Sequence, residues 1–328
     1  MIFRNVNIEK LAWWTLAMNL VVIIQGAIVR ATGSGAGCGS HWPTCHGEVV
    51  PLNHTAESLI EFSHRSLSLV VLLLGSWLLI RAFGLRRERP GFMFFAATSF
   101  VFVIIEALLG AATVLFGLTG DNVSTARGIM VAAHLVNSVL LVGALTATVV
   151  YSRRDAPGWP LKLASQPALV TSFGLGLALM LVLMFSGGIA AMGNTMFPSE
   201  TLAEGVAADF DADSHPLVRL RILHPIIAVS VGIYLFIALG FARLRKPVVQ
   251  GQGLARALFV VFLVQFVVGA VNFALLAPIL LQLLHLGLAV ASFALFAALM
   301  TVTLGHPAGL AAKQSGKPAL SPMENPQA

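Results

Sequence analysis

Four histidines have the type and spacing to do chemistry: His64, His134, His224 and His285. Each lies near the start of a long apolar segment, in the second, fourth, sixth and eighth of eight such segments. An imidazole inside a lipid-spanning helix is costly unless something binds it. Four of them, two per half of the chain, predict two metal or haem sites. Paired histidines at one depth on facing helices suit bis-axial ligation of a haem iron. Zinc would ask for three or four ligands, with sulfur or oxygen among them.

The neighbours of these histidines differ between the halves. Glu61 precedes His64 by three residues in the string Glu61-Phe-Ser-His64-Arg65, and positions i and i+3 share a helix face. The corresponding string Arg221-Ile-Leu-His224-Pro225 has no acid. One site therefore carries an acid–base candidate and the other does not, as expected of a substrate site beside a cofactor site. A plainer role for Glu61, as an acid favoured by the helix dipole, stays open. Arg65, Arg127, Arg219 and Arg221 are the outer cations near the histidines, and Arg65, Arg127 and Arg221 are candidates to pair with haem propionates or with local acids. Glu106, inside the third segment, has Gln265 as its repeat mate. An intramembrane acid is a functional candidate by default, although a hydrogen bond between helices is the preferred reading here.

The elements that must position these groups are membrane helices. Of 328 residues, 57% are hydrophobic and 10% charged, and mean hydropathy is +0.87. A soluble domain carries about 25% charge. The chain is thus predicted to be an all-α integral membrane protein. Eight stretches approach the roughly 20 apolar residues a span needs: 11–30, 63–82, 92–117, 128–150, 168–193, 221–241, 255–276 and 280–304. The first is too long for the apolar region of a signal peptide and is read as a retained helix. Placing both termini in the cytoplasm puts fifteen of the twenty Lys and Arg residues there, leaving Arg30, Arg65, Arg127, Arg219 and Arg221 outside. The net charge of +6 is then a topology signal, and nucleic-acid binding is not expected. All four histidines fall at the outer ends of even-numbered helices.

The two cysteines, Cys38 and Cys45, lie in the first outer loop in Cys38-Gly-Ser-His-Trp-Pro-Thr-Cys45. An outer compartment permits disulfides and six intervening residues can close in a turn, which favours a disulfide. A redox-active pair, and a zinc site with His41 and His46, are the weaker alternatives. Residues 305–328, rich in Pro, Ala, Lys, Ser and Gly, read as a disordered cytoplasmic tail.

The halves repeat. Glu106-Ala-Leu-Leu-Gly110-Ala111 matches Gln265-Phe-Val-Val-Gly269-Ala270, and each precedes a His-Leu pair. Gly26 lies 38 residues before His64, and Gly187 lies 37 before His224. Two tandem four-helix bundles are expected, 1–155 and 156–304, related by a pseudo-twofold axis along the membrane normal. The glycines allow close approach of a flat macrocycle or simply of neighbouring helices.

The string from Gly26 through Cys38, then Trp42-Pro43-Thr-Cys45, then Glu61-x-x-His64-Arg65, with all four histidines, resembles the haem A synthase family over roughly residues 11–304. The resemblance implies oxidation of the C8 methyl of haem O to a formyl group, with water as the oxygen source. It implies that His64 and His134 hold the substrate haem, that His224 and His285 ligate a haem b cofactor, and that Glu61 is the essential acid. It also implies a plasma-membrane location, an external electron acceptor and a haem O synthase as functional neighbour; a homo-oligomer is compatible with it. Some family members carry a second cysteine pair between the fifth and sixth helices, and this chain has none there. Two other classes compete: a di-haem b cytochrome carrying electrons from quinol to an outer acceptor, and, less well supported, a transporter with a proton relay.

Overall fold

Polar residues set where each helix starts. The computed structural model describes residues 7–51, 55–245 and 249–305; the expected tail from 306 onward and the cations Arg4, Lys246, Lys313 and Lys317 lie outside them. Asn7 caps α1 (Ile8–Ala31), accepting the Glu9 amide at 2.9 Å. Thr55 caps α2 (Ala56–Gly84), accepting the Ser58 amide at 3.2 Å. Ser124 caps α4 (Thr125–Ser152) through the Arg127 amide at 3.3 Å. Such caps satisfy amides that have no partner within the helix. Proline occupies the first position of α3 (Pro90–Leu115) and α5 (Pro167–Met196), where its missing N–H costs nothing. The remaining helices are α6 (Leu202–Phe210), α7 (Pro216–Arg221), α8 (Leu223–Arg245), α9 (Val249–Ala274) and α10 (Ile279–Gly305). No strand occurs among the described residues.

Eight helices are long and apolar enough to cross a membrane, with α7 and α8 together forming the sixth. Predicted and observed spans agree to within a few residues, except that α2 begins seven residues, α9 six and the sixth span five before the expected start. Glu57, Ser58 and Glu61 lower the hydropathy of the first turns of α2, although Thr55 caps them as helix. The sixth span is broken at Ile222. Pro225, three residues later, has no N–H for the Arg221 carbonyl, and its ring crowds that carbonyl.

Half of the α4 span is buried, a larger share than in any other. It packs on α1, α3, α5 and α10, which places it between the two halves. The first four spans pack in chain order, and α5, α8, α9 and α10 do the same. Many large apolar side chains point outward, among them Trp14, Leu73, Ile80, Leu108, Ile237 and Leu280. Against water this surface would be an aggregation liability; against acyl chains it is matched to its solvent.

Candidate functional site

Each of the four imidazoles lies against a glycine of the preceding odd-numbered span. A methyl group on Gly26 would stand 3.0 Å from His64 Cε1, on Gly110 3.7 Å from His134 Cε1, on Gly187 3.0 Å from His224 Cε1, and on Gly269 2.6 Å from His285 Cε1. Only a residue without Cβ lets the rings approach so closely at His64, His224 and His285. The glycines seen in sequence as a packing pattern are thus paired with the histidines one to one.

His224 and His285 face each other across the C-terminal half, with ring centroids 6.3 Å apart and planes at 88°. A nitrogen roughly 2 Å from a metal puts its ring centre about 3 Å away, so two trans imidazoles stand about 6 Å apart. The observed spacing fits one metal between two rings. The Ser186 hydroxyl donates to the Leu183 carbonyl at 2.9 Å and meets His224 Nδ1 at 3.1 Å. With its hydrogen committed to Leu183, Ser186 accepts from Nδ1–H. The Nε2 lone pair of His224 is then available to a metal. His285 Nε2 lies 3.2 Å from Gln265 Nε2.

In the N-terminal half, His134 Nε2 lies 3.4 Å from Glu106 Oε1. Glu106 accepts from Asn137 Nδ2 at 2.5 Å and from the Ser138 hydroxyl, which joins α3 to α4 as the preferred sequence reading expected. The Nδ1 atoms of His64, His134 and His285 are buried without a hydrogen bond. Backbone groups of Val22, Leu183 and Gln265, each four residues before its glycine, act on the His64, His224 and His285 rings; they complete no bond at Nδ1 of His64 or His285. A buried imidazole nitrogen without a partner calls for a physical reason, and a group received at the site is one such reason. Among the described residues no group of three or more His, Cys, Asp or Glu could hold a bare metal ion. Two imidazoles and a macrocycle are the donor set that these residues fit.

Glu61 is 4% exposed and fully engaged. Its Oε2 accepts from the Cys38 amide at 2.8 Å and its Oε1 from Arg65 Nη2 at 2.5 Å. Arg65 Nη1 also donates to the carbonyls of His41, at 2.7 Å, and Thr44, at 2.6 Å. Cys38 and Cys45 form a disulfide, which removes the thiolates that the zinc alternative needs. Gly37 presses on α2 so closely that a Cβ would lie 2.4 Å from the Glu57 carbonyl carbon. The loop is thereby clamped onto the first two turns of α2, ahead of His64.

Arg221 plays the matching part in the other half. It pairs with Asp209 at 2.5 Å and donates to Asn194 Oδ1 and the Gly205 carbonyl, each at 3.1 Å. Of the three arginines proposed from sequence, Arg65 and Arg221 are therefore bound to local acids. Among the described residues the Arg127 guanidinium donates to the carbonyls of Gly120, at 2.6 Å, and Asn122, at 2.9 Å, and has no acid within ion-pair distance. Arg219 is peripheral, reaching the Ala212 carbonyl at 3.5 Å. Sequence reasoning missed Ser186, Asn137 and Ser138, whose small polar side chains give no signal in an apolar helix. It also left Arg30 unassigned. Arg30 donates to Thr195 Oγ1 at 2.6 Å, the Ala191 carbonyl at 3.2 Å and Gln282 Oε1 at 2.7 Å.

The fold and site define a multi-pass, four-histidine membrane protein whose imidazoles suit haem iron. A family described as cytochrome oxidase assembly protein, COX15-CtaA, matches residues 9–298, and the chain belongs to that family. A Thermus thermophilus protein named protoheme IX farnesyltransferase is 43% identical over 297 residues, covering 89% of this chain and 48% of its own length. The heme A synthase of Shouchella clausii is 44% identical over 98 residues, 30% of this chain and 33% of that one. The heme A synthase of an Exiguobacterium species is 34% identical over 157 residues, 44% of this chain and 50% of that one. The chain spans about half the length of the curated relatives it matches or less.

Proposed function

We propose that this chain is a haem A synthase, oxidising the C8 methyl of haem O to a formyl group for terminal oxidases. The observation that carries the reading is the asymmetry between two otherwise similar histidine pairs. Glu61 stands one turn from His64, and no acid occupies the corresponding place beside His224. Family membership and the heme A synthase relatives support it.

In this reading His64 and His134 hold haem O as substrate, residues 1–155 form the substrate half, and residues 156–304 form the cofactor half. His224 and His285 would hold haem b, which when bound supplies a one-electron redox centre. The reaction balances with water as oxygen source: the methyl and one water become a formyl group, four protons and four electrons. The electrons pass to an acceptor outside the chain. Glu61, fixed by the Cys38 amide and Arg65, is the group that handles protons at the methyl or stabilises positive charge developing beside it. Both termini are cytoplasmic and the haem sites lie toward the outer face of the plasma membrane. The farnesyltransferase name belongs to a relative about twice as long. Farnesyl transfer to protohaem is the reaction that would supply haem O, which makes a haem O synthase the functional neighbour.

Extraction and mass analysis of the haems in purified protein tests the proposal. Haem O or its oxidised products together with protohaem are expected. Protohaem alone, two per chain, would mean a di-haem cytochrome. A Glu61→Ala protein should still bind haem and accumulate haem O or a hydroxylated form; an undiminished haem A yield would remove Glu61 from the chemistry.

A further inference from the structure

Arg30, half-buried, and Arg127, buried, differ from Arg65 and Arg221. Arg65 and Arg221 each have a carboxylate at 2.5 Å. Among the described residues neither Arg30 nor Arg127 has one within ion-pair distance. The partners of Arg30 are a hydroxyl, an amide oxygen and a carbonyl. Those of Arg127 are two loop carbonyls, and exposed Asp121 acts on it from a distance. Arg30 and Arg127 sit on helices that pack on each other, α1 and α4, and the Arg127 charge acts unfavourably on Arg30. Like charges on neighbouring helices, each shielded from water in part and neither paired with an acid, favour an anion that joins them.

Their position indicates which anion. Arg30 lies four residues beyond Gly26, the glycine beneath His64. Arg127 lies seven residues before His134. Spacings of four and seven return to the same helix face, one and two turns along. Arg30 therefore stands one turn beyond the α1 glycine that lies against His64, and Arg127 two turns before His134 on α4; Arg30 also reaches α5 and α10 at Ala191, Thr195 and Gln282. A guanidinium has five N–H donors. Arg30 uses Nη1 and Nη2 but not Nε in the bonds described, and Arg127 uses Nη1 alone. Donors remain on both for a carboxylate. The C-terminal half supplies no cation at the matching positions, where Ala191 and Pro278 stand; Arg30 itself reaches across to Ala191 and Gln282.

We infer that Arg30 and Arg127 form a carboxylate site that receives the propionates of the haem held by His64 and His134. This rests on the substrate-site reading of that pair. It makes the outer ends of α1 and α4 the place where an anionic tetrapyrrole is oriented, with its acid edge outward and its apolar edge toward the membrane core.

The test uses the full chain in detergent, with its resident haem, titrated with protohaem or with protohaem dimethyl ester, whose propionates are neutral. Wild type is expected to bind the free acid at least about tenfold tighter than the ester. Arg127→Gln and Arg30→Gln should each shrink that ratio, the double variant should bring it near one, and Arg30→Lys should keep most of it. Equal affinity for acid and ester in wild type overturns the inference, as does a ratio unchanged in the double variant. Arg30→Gln also loses contacts between the halves, so resident haem is measured alongside; if that variant fails to fold, Arg127→Gln alone decides. Added haem that fails to bind, or binds equally well to His64→Ala/His134→Ala, overturns the underlying reading of the histidines instead. The rival source of anion is a lipid phosphate. Phosphatidylglycerol that co-purifies with wild type and is lost from the double variant, with no acid-over-ester preference in wild type, would assign the site to lipid.

Discussion

A hydrogen in place of a methyl group governs how close each imidazole can come to its neighbouring helix. The four glycines are not equal in this respect, and the difference is measurable. Gly269→Ala would force a Cβ to 2.6 Å from His285 Cε1. Overpacking of this kind costs about 1–3 kcal/mol and should displace the ring, lowering haem content in the purified protein severalfold. Gly110→Ala, with its Cβ at an ordinary 3.7 Å, should leave haem content within error of wild type. The ratio of haem absorbance to protein checks both. The Arg65–Glu61 pair makes a second prediction at this scale. Removing one partner of a buried pair leaves an uncompensated charge and costs about 3–5 kcal/mol. Arg65→Ala should therefore destabilise the protein more than Arg65→Ala/Glu61→Ala does, a non-additivity that thermal unfolding in detergent would reveal.

Among the elements, the segments that join the first span to the second and the fifth to the sixth carry most of the difference between the halves. In the N-terminal half, residues 33–48 form a disulfide-closed loop locked to α2 by Gly37, Ser58, Glu61 and Arg65. In the C-terminal half the equivalent space holds α6 and α7, tied by Asp209 and Arg221. The predicted spans leave residues 194–220 outside any helix, because nine- and six-residue helices carry too short a pattern to register. The break before α8 follows from Pro225. Pro225→Ala should allow the helix to run through Ile222 and rotate His224 away from Ser186. The expected result is loss of the C-terminal haem signal with the His64–His134 haem retained, read by spectroscopy of variants lacking one pair or the other.

For the whole molecule, the bilayer is the solvent that makes the apolar exterior stable, and α4 supplies the buried axis. The proposed orientation predicts that a cysteine at Ser199 reacts with an impermeant thiol reagent from outside, whereas one at Glu88 reacts only after permeabilisation. The reverse pattern would invert the haem sites. At this scale Arg30 joins the halves, linking α1 to α5 and α10 through Thr195 and Gln282. The bonds that tie the halves and the cations proposed to orient substrate therefore share one residue.

The sequence by itself determined the membrane class, the eight spans, the four histidines and the Glu61-x-x-His64 asymmetry. Hydropathy, charge and helical spacing are local quantities, summed along the chain and readable without coordinates. The glycine beneath each ring, the Ser186 acceptor behind His224 and the full set of partners at Glu61 were decided only by the tertiary structure. So was the contrast between arginines with and without an acid. These depend on contacts between residues far apart in the chain, 23 positions for Cys38 and Glu61 and 252 for Arg30 and Gln282. No periodicity along one helix records which face of another will meet it.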